Sequence, residues 1–486
     1  MDPWHDEAWR NAMRVRLSIR GVFSDVVGEE GGISRSALDG LMPRLERIRT
    51  DIAAKRAAGE MPFMDLPRQD VAPILDYAGR ARERFDTFVV AGIGGSALGN
   101  IACHTALRHP YHNMLPPERR GGLRVEVPDN VDPERLAGLF DTLLLGRTVF
   151  NVITKSGSTA ETTSTFLVIK EQLQKDRWVG SRWREHVVVT TDPKSGDLRK
   201  LATRENLVAF DVPPGVGGRF SVLTPVGLLP AAASGIDVRE LLAGAQDMAE
   251  RIAAPPPATR PLAENPAYVG AAIHYLMYNH ARQPKRLAVM MPYAHALRDV
   301  ADWFRQLRAE SLGKEKSLDG RTVNVGPTPI KALGATDQHS QVQLYAEGPN
   351  DKLFTFVGVD RFARDVPFPD DPDLKDLNAF NYFGGKTMGE LLKAEQVATT
   401  LALTRKGRPT MTITLPEVRP YTVGQLFMLL EVQTAVAGWL LGINPFDQPG
   451  VEAGKIATYA LMDRPGYAEE RKRIDAELRG TDDRAL

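Results

Sequence analysis

Short apolar runs alternate with helical patterns along most of this chain, and the alternation occurs in two series. Runs typical of strands lie between Phe88 and Val212 in the first series and between Arg286 and Leu415 in the second. Strands that alternate with helices form mainly parallel sheets covered on both faces. The sequence therefore predicts an α/β fold with two doubly wound domains, in which ligands bind beyond the carboxyl ends of the strands.

A run of three prolines divides the two series. Pro255, Pro256 and Pro257 are consecutive, and consecutive prolines continue neither a helix nor a sheet. A chain of 486 residues is also too long for a single core. The predicted parts are an N-terminal helical segment (1–60), a first α/β domain (61–253), a linker (254–265), a second α/β domain (266–448) and a C-terminal helical segment (449–486).

Composition excludes several classes of protein. The chain has 61 basic and 61 acidic side chains, so no overall field favours nucleic acid or an anionic membrane. Its one cysteine, Cys103, is typical of a reducing compartment, and its polar, acidic start is unlike a secretory signal. The most apolar stretch, residues 421–442, contains Glu431 and is expected to be a buried helix. We expect a cytoplasmic protein without a nucleic-acid or membrane partner.

Residues 154–159, called the hydroxyl loop below, join an apolar strand to the start of a helix. Six hydroxyl side chains lie between Thr154 and Thr163, whereas one or two would be enough to cap a helix. Hydroxyl groups, main-chain N–H groups and a helix N-terminus together suit a phosphate group. The simpler alternative is a capped strand-to-helix loop without a ligand.

Residues 92–96, called the glycine loop below, read Gly-Ile-Gly-Gly-Ser and follow the first predicted strand. With Ala97 they match a relaxed dinucleotide-binding fingerprint, and Asp129 is a possible ribose ligand. Asp129 lies about 30 residues beyond the loop, where about 20 is usual. An oxidoreductase, a loop whose amides approach a sugar or phosphate, and a tight turn without a ligand all remain open on this motif.

A predicted helix at residues 299–313 places Glu310 on an apolar stripe with Trp303 and away from Arg308. Loss of hydration among apolar side chains makes a carboxyl group a candidate general base. Gln306 lies one turn before Glu310, so both side chains could reach one ligand. The alternative is a buried glutamate that pairs with an arginine or caps a helix. No cluster of His, Cys and Asp has the spacing of metal ligands, so no metal is expected.

Six stretches, taken together, resemble the glucose-6-phosphate isomerase family, also called phosphoglucose isomerases. They occur in the family's order and span about 360 residues. The stretches are Gly92 to Ser96, Thr154 to Thr162, Gly217 to Ser221, Gln306 to Ser311, Gly334 to Ser340 and Gln448 to Lys455.

The resemblance implies two sugar-isomerase domains of the SIS type, a homodimer and no cofactor. It implies interconversion of glucose 6-phosphate and fructose 6-phosphate, in glycolysis and gluconeogenesis, by ring opening and a cis-enediolate. Carried over by position, Glu310 is the base between C2 and C1, and Arg219 lies beside the enediolate oxygens. His339, donated by the other subunit, opens the ring with help from Lys455, and Glu161 lies near that histidine. The implied sugar- and phosphate-binding positions are Gly94, Gly95, Ser96, Thr154, Lys155, Ser156, Thr159, Gln306 and Gln448.

The chemistry of this reaction needs what these residues offer. Proton transfer between adjacent carbons requires a base and a cation for the developing enediolate, and it requires no nicotinamide. A histidine can give and take a proton near neutral pH, as ring opening requires. Two alternatives remain: a sugar-phosphate sensor, which would not need Glu310, Arg219 and His339, and the oxidoreductase.

Overall fold

A computed structural model describes residues 2–253 and 262–479 of the 486-residue chain. The three prolines of the predicted linker lie outside these residues. The described chain contains two five-stranded sheets and one two-stranded sheet. The two large sheets are parallel apart from one strand pair. This confirms the predicted α/β class with mainly parallel sheets.

The described residues form twelve strands and nineteen α-helices. The strands are β1 (Arg16–Ser18), β2 (Thr87–Ala91), β3 (Arg124–Glu126), β4 (Thr148–Thr154), β5 (Val187–Thr191), β6 (Val208–Asp211), β7 (Leu287–Pro292), β8 (Lys314–Lys316), β9 (Thr322–Val325), β10 (Thr328–Lys331), β11 (Lys352–Arg361) and β12 (Thr410–Glu417). The helices are α1 (Glu7–Ala12), α2 (Ser24–Gly31), α3 (Arg35–Gly40), α4 (Met42–Ala57), α5 (Ala72–Arg84), α6 (Leu98–Leu107), α7 (Pro117–Arg120), α8 (Pro133–Thr142), α9 (Ala160–Lys175), α10 (Asp197–Glu205), α11 (Pro225–Ala233), α12 (Val238–Ala253), α13 (Pro266–Tyr278), α14 (Arg298–Leu312), α15 (Val342–Glu347), α16 (Met388–Arg405), α17 (Pro420–Leu440), α18 (Glu452–Leu461) and α19 (Ala468–Arg479).

The first sheet has the strand order β3-β2-β4-β5-β6. Strands β2, β4 and β5 are buried along their whole length, as expected for apolar strands covered by helices on both faces. The strand of this sheet that comes first in the chain, β2, lies between β3 and β4, so the strand order reverses there. Such a reversal is where doubly wound sheets bind ligands. The glycine loop follows β2 and the hydroxyl loop follows β4, so both lie at this point.

The second sheet has the order β1-β12-β11-β7-β10 and repeats the reversal around β7. Its edge strand β1 runs antiparallel to β12, with Arg16 opposite Thr414. The N-terminal segment is therefore not purely helical, because it supplies one strand to a sheet of the second series. A three-residue run is too short to show a period of two in the sequence. The domain boundaries themselves stay a prediction.

Helix α17 lies at the centre of the protein and supports helix α14. It is long and apolar enough to cross a membrane, but 94% of its most apolar window is buried inside the protein, as expected of a core helix. Phe427 of α17 contacts Trp303 of α14 edge to face, with 4.8 Å between ring centroids. On another side, α14 is joined to α6, where the Thr105 hydroxyl donates to Asp299 Oδ2 over 2.6 Å. The helix that carries Glu310 is thus fixed between the two halves.

Candidate active site

The hydroxyl loop gathers three hydroxyl groups at the N-terminus of α9. Thr154 Oγ1 lies 2.8 Å from Thr159 Oγ1 and 3.4 Å from Ser156 Oγ, and the latter two are 3.3 Å apart. Gly157 has a φ of +69°, the left-handed conformation that the turn needs. Thr159 occupies the cap position, yet its side chain accepts no capping hydrogen bond. The three hydroxyls thus converge at the helix N-terminus, which suits an anion, and Ser156 Oγ also accepts from the Ser158 N–H over 3.3 Å.

Lys155 connects the hydroxyl loop to the loop that precedes Arg219. Its ammonium group donates to the main-chain oxygen of Val216 over 2.7 Å. Burial lowers the pKa of Lys155, and the charge of Asp192 opposes this shift. The ammonium of Lys155 is thus engaged by a main-chain carbonyl and holds two loops of the site together.

The glycine loop is glycine-rich because other parts of the protein approach it closely. Gly94 has a φ of +56°, and a Cβ atom there would lie 3.1 Å from Gln306 Nε2. A Cβ atom on Gly95 would lie 2.3 Å from the carbonyl carbon of Gly218, so no side chain fits. Because these glycines have no side chains, the loop can pack closely against α14 and against the loop of Arg219. Ser96 ends the short 3-10 helix that this loop forms.

These contacts weigh against the dinucleotide-binding alternative. The second glycine of the fingerprint, where a pyrophosphate would approach the backbone, is Gly94, and a Cβ atom there would lie 3.1 Å from Gln306 Nε2. The suggested ribose ligand, Asp129, is paired with Arg135, with 2.7 Å between Oδ1 and Nη1. The fingerprint match thus has a structural explanation without a nucleotide.

Arg219 is the centre of a group of polar side chains, called the arginine cluster below, that comprises Arg219, Gln306, Glu310 and Gln448. Arg219 is only 2% exposed, and burial lowers its pKa while the charge of Glu310 raises it. Its donors reach Ser311 Oγ (2.7 Å), Gln448 Oε1 (2.9 Å), Glu310 Oε2 (3.3 Å), Pro445 O (2.6 Å) and Asp447 O (3.1 Å). A buried arginine with this many partners has a fixed orientation.

Glu310 is held at both carboxylate oxygens but remains accessible. Oε1 accepts a hydrogen bond from Gln306 Nε2 over 2.9 Å, and Oε2 accepts one from Arg219 Nη1 over 3.3 Å. The Glu310 side chain is 33% exposed. A positioned and accessible carboxylate beside a permanent cation can take up a proton from a bound molecule.

The sequence-based placement of Arg308 on the outer side of α14 is wrong. Arg308 is fully buried, whereas Glu310 lies at the edge of the buried surface. The reason is that both α17 and α6 cover α14, so its buried arc also includes Phe304 and Leu312. The single apolar stripe in the sequence marks only part of this arc.

Among the described residues, His339 has no hydrogen bond or ion pair with the arginine cluster of its own chain. It is exposed at the end of a short 3-10 helix after β10. The end of β10 lies at the first turns of α14, because Lys331 Nζ pairs with Asp302 Oδ2 at 2.8 Å. Glu310 follows eight residues later, which is about 12 Å along the helix axis. Among the described residues, His339 makes no side-chain hydrogen bond.

Lys455 and Glu161 also lie outside the arginine cluster. Lys455 is exposed on α18 and pairs with Glu452, with 2.8 Å between Nζ and Oε1. One turn later, the Tyr459 hydroxyl donates to the main-chain oxygen of Ser158 over 3.2 Å, so α18 lies beside the hydroxyl loop. Glu161 lies in the first turn of α9. Within residues 2–253 and 262–479, no three His, Cys, Asp or Glu side chains are arranged for a metal ion.

The sequence analysis missed Lys314, a buried residue that contacts the main chain of Glu310. Its ammonium donates to Glu310 O over 2.5 Å and to Asp447 O over 2.6 Å. A lysine directly after Gly313, which follows the last residue of α14, was the available signal, because lysines near a helix end often bind its last carbonyls.

Comparison with known proteins gives a consistent result. Residues 74–480 match the protein family described as phosphoglucose isomerase. The glucose-6-phosphate isomerases of Carboxydothermus hydrogenoformans and Rubrobacter xylanophilus are each 48% identical to this chain, over 95% and 92% of it and 97% and 98% of their own lengths. A solved structure of a hypothetical protein from Thermus thermophilus is 40% identical, with a TM-score of 0.80, and covers 92% of this chain and 100% of its own. A glucose-6-phosphate isomerase from Chlamydia trachomatis has the same fold, with a TM-score of 0.70 at 24% identity over 84% of this chain and 76% of its own.

Proposed function

Because this chain belongs to the phosphoglucose isomerase family, we propose that its arginine cluster and hydroxyl loop form an active site for the interconversion of glucose 6-phosphate and fructose 6-phosphate. The family reaction is an aldose–ketose isomerisation and a step of glycolysis. The single observation that carries the assignment of roles is the Glu310 carboxylate, held by Gln306 and Arg219 yet open to a ligand.

Glu310 acts as the base that moves a proton between C2 and C1. A C–H group beside a carbonyl is a weak acid, so the step needs a positioned base and a cation near the developing oxyanion. The Arg219 guanidinium is such a cation, and it cannot take the proton away from the base. Gln306 and Gln448 orient the reacting groups, since both already hydrogen bond within the cluster.

The hydroxyl loop binds the 6-phosphate. Its three convergent hydroxyls and the N-terminus of α9 offer donors to a dianion. Lys155 ties this loop to the Val216 loop next to Arg219, so the phosphate site and the base keep a fixed separation. Binding of the remote phosphate then holds the reacting carbons in register.

Replacing Ser156 or Thr159 by alanine is expected to raise KM for fructose 6-phosphate by roughly 10–100-fold, because each change removes a hydrogen bond to a charged group. Turnover should fall much less. Steady-state kinetics check this, with Ser164→Ala as the control, since that hydroxyl donates to its own helix at Glu161 O. Equal affinity of the parent protein for fructose and fructose 6-phosphate would contradict the assignment.

We further propose a homodimer in which His339 of one subunit completes the site of the other. Support comes from His339 itself, which is exposed and, among the described residues, has no hydrogen bond or ion pair with the arginine cluster of its own chain. Apolar side chains are also exposed in the segment 344–388 that follows His339 in the chain, which is typical of an interface. They are Leu344, Val366, Leu377, Phe380, Tyr382 and Met388. In such a dimer His339 opens the sugar ring, Lys455 assists it and Glu161 supports the histidine.

Incubation with fructose 6-phosphate in heavy water tests the proposed function directly. We expect glucose 6-phosphate to form without added nicotinamide and to carry deuterium at C2, measured by NMR. Binding without conversion would favour a sensor, and conversion only after addition of a nicotinamide would favour an oxidoreductase. Mannose 6-phosphate in a parallel sample measures selectivity. The cytoplasmic location and the absence of cofactor, metal and nucleic-acid partner stay predictions.

A further inference from the structure

Lys314 is a buried cation that contacts the proposed base through the main chain. It is the first residue of β8 and follows Gly313 at the end of α14. Its side chain is 5% exposed, and its Nζ lies 2.5 Å from Glu310 O, 2.6 Å from Asp447 O and 3.4 Å from Asp447 Oδ1. All donors of the ammonium therefore have partners in the protein.

The hydrogen bond from Lys314 Nζ to Glu310 O satisfies a carbonyl that has no partner within the helix. The last four carbonyls of an α-helix lack partners within the helix, and Glu310 O is one of them. Burial lowers the pKa of Lys314, as does the charge of Arg219, whereas Asp447 and Glu310 raise it. Burial of an ammonium or of a carbonyl is costly without a hydrogen-bond partner. The Lys314 ammonium and the two carbonyls therefore stabilise one another.

The second carbonyl links this contact to the arginine cluster. Asp447 O accepts hydrogen bonds from both Lys314 Nζ and Arg219 Nη2. The next residue, Gln448, accepts one from Arg219 Nη1. The last turn of α14 and the loop at residues 445–448 are therefore held together by two cations, Arg219 and Lys314.

We propose that Lys314 is a positioning residue for the isomerisation: it fixes the main chain of Glu310 against the Asp447 loop, so that the carboxylate and Gln448 meet the substrate in one geometry. This inference rests on the proposed function. Lys314 is not a catalytic residue, because its ammonium is used by Glu310 and Asp447 and does not reach the substrate.

The test compares Lys314→Met with the parent protein. Since a displacement of about 1 Å costs up to about 100-fold in rate, we expect kcat to fall by roughly 10–100-fold. KM for fructose 6-phosphate should stay within about threefold, because the hydroxyl loop is untouched. The kinetic isotope effect with glucose 6-phosphate deuterated at C2 should rise, because proton transfer becomes the slow step. Lys314→Arg keeps a cation that can donate to both carbonyls, so it should recover part of the rate.

Lys316→Met is the matched control, since this exposed lysine lies on the same strand and bonds Thr322 and Glu315. A merely structural role for Lys314 would reduce kcat only in proportion to the folded fraction, with the isotope effect unchanged, and that result would overturn the proposal. If Lys314→Met does not fold, Lys314→Arg carries the test, and an isotope effect equal to that of the parent overturns it. A parent protein without isomerase activity would instead refute the proposed function.

Discussion

Glu310→Gln is expected to lower kcat by roughly 10²–10⁴-fold while KM for fructose 6-phosphate changes only a few-fold. An amide cannot accept the proton from C2, but it has the shape of the carboxyl group. Its oxygen can still accept from Arg219, and Gln306 can rotate to face its amide, because Gln306 Oε1 has no partner among the described residues. The loss should therefore lie in the chemical step and not in binding.

Two further variants test this assignment by steady-state kinetics. Glu310→Asp keeps a carboxylate base, but its side chain is shorter by one methylene, so the base lies farther from the substrate. Its turnover should lie between those of the parent and of Glu310→Gln. Glu315→Gln removes an exposed carboxylate from β8 and should leave both constants unchanged. Near-normal turnover of Glu310→Gln would show that another group is the base.

Mixing inactive Glu310→Gln subunits with inactive His339→Gln subunits is expected to restore activity. If each site takes its glutamate from one chain and its histidine from the other, a mixed dimer has one intact site. Random association of equal amounts makes half of the dimers mixed, so about a quarter of all sites should recover. Activity measured after joint unfolding and refolding should rise from below about 1% towards that value.

The control for this experiment uses two residues of the same chain. Glu310 and Arg219 are in contact within one subunit, so mixing Glu310→Gln with Arg219→Lys leaves every site with a defect. No recovery is expected for that pair. If the pair with inactive His339→Gln also shows no recovery, His339 acts within its own chain.

The sequence predicted the parts of the fold that carry a clear period. Strand β4 and helix α9 were recognisable because a run rich in apolar and β-branched residues leads into a hydroxyl-rich helix start. Strands β1 and β10 were missed, since they have three and four residues, and Pro329 in β10 reads as a strand breaker. Short edge strands depend on the sheet that they join and show no pattern of their own.

Within the site, local motifs identified the groups but not their neighbours. Arg219 and Gln448 are 229 positions apart and hydrogen bond, a contact that no spacing rule provides. The burial of Arg308, the main-chain bond of Lys155 and the position of Lys314 all depend on how distant segments pack. Sequence patterns record the period of one element, whereas these features depend on two or three elements at once.

The partners of Arg219 also bear on how the enzyme is made. Its hydrogen bonds extend to residues 445–448, and strand β1 pairs with β12, which begins at residue 410. During translation, a nascent chain must leave the ribosome through residue 448 before this guanidinium finds its acceptors. Truncated translation products should therefore lack turnover, and the appearance of activity marks the moment when synthesis is nearly complete.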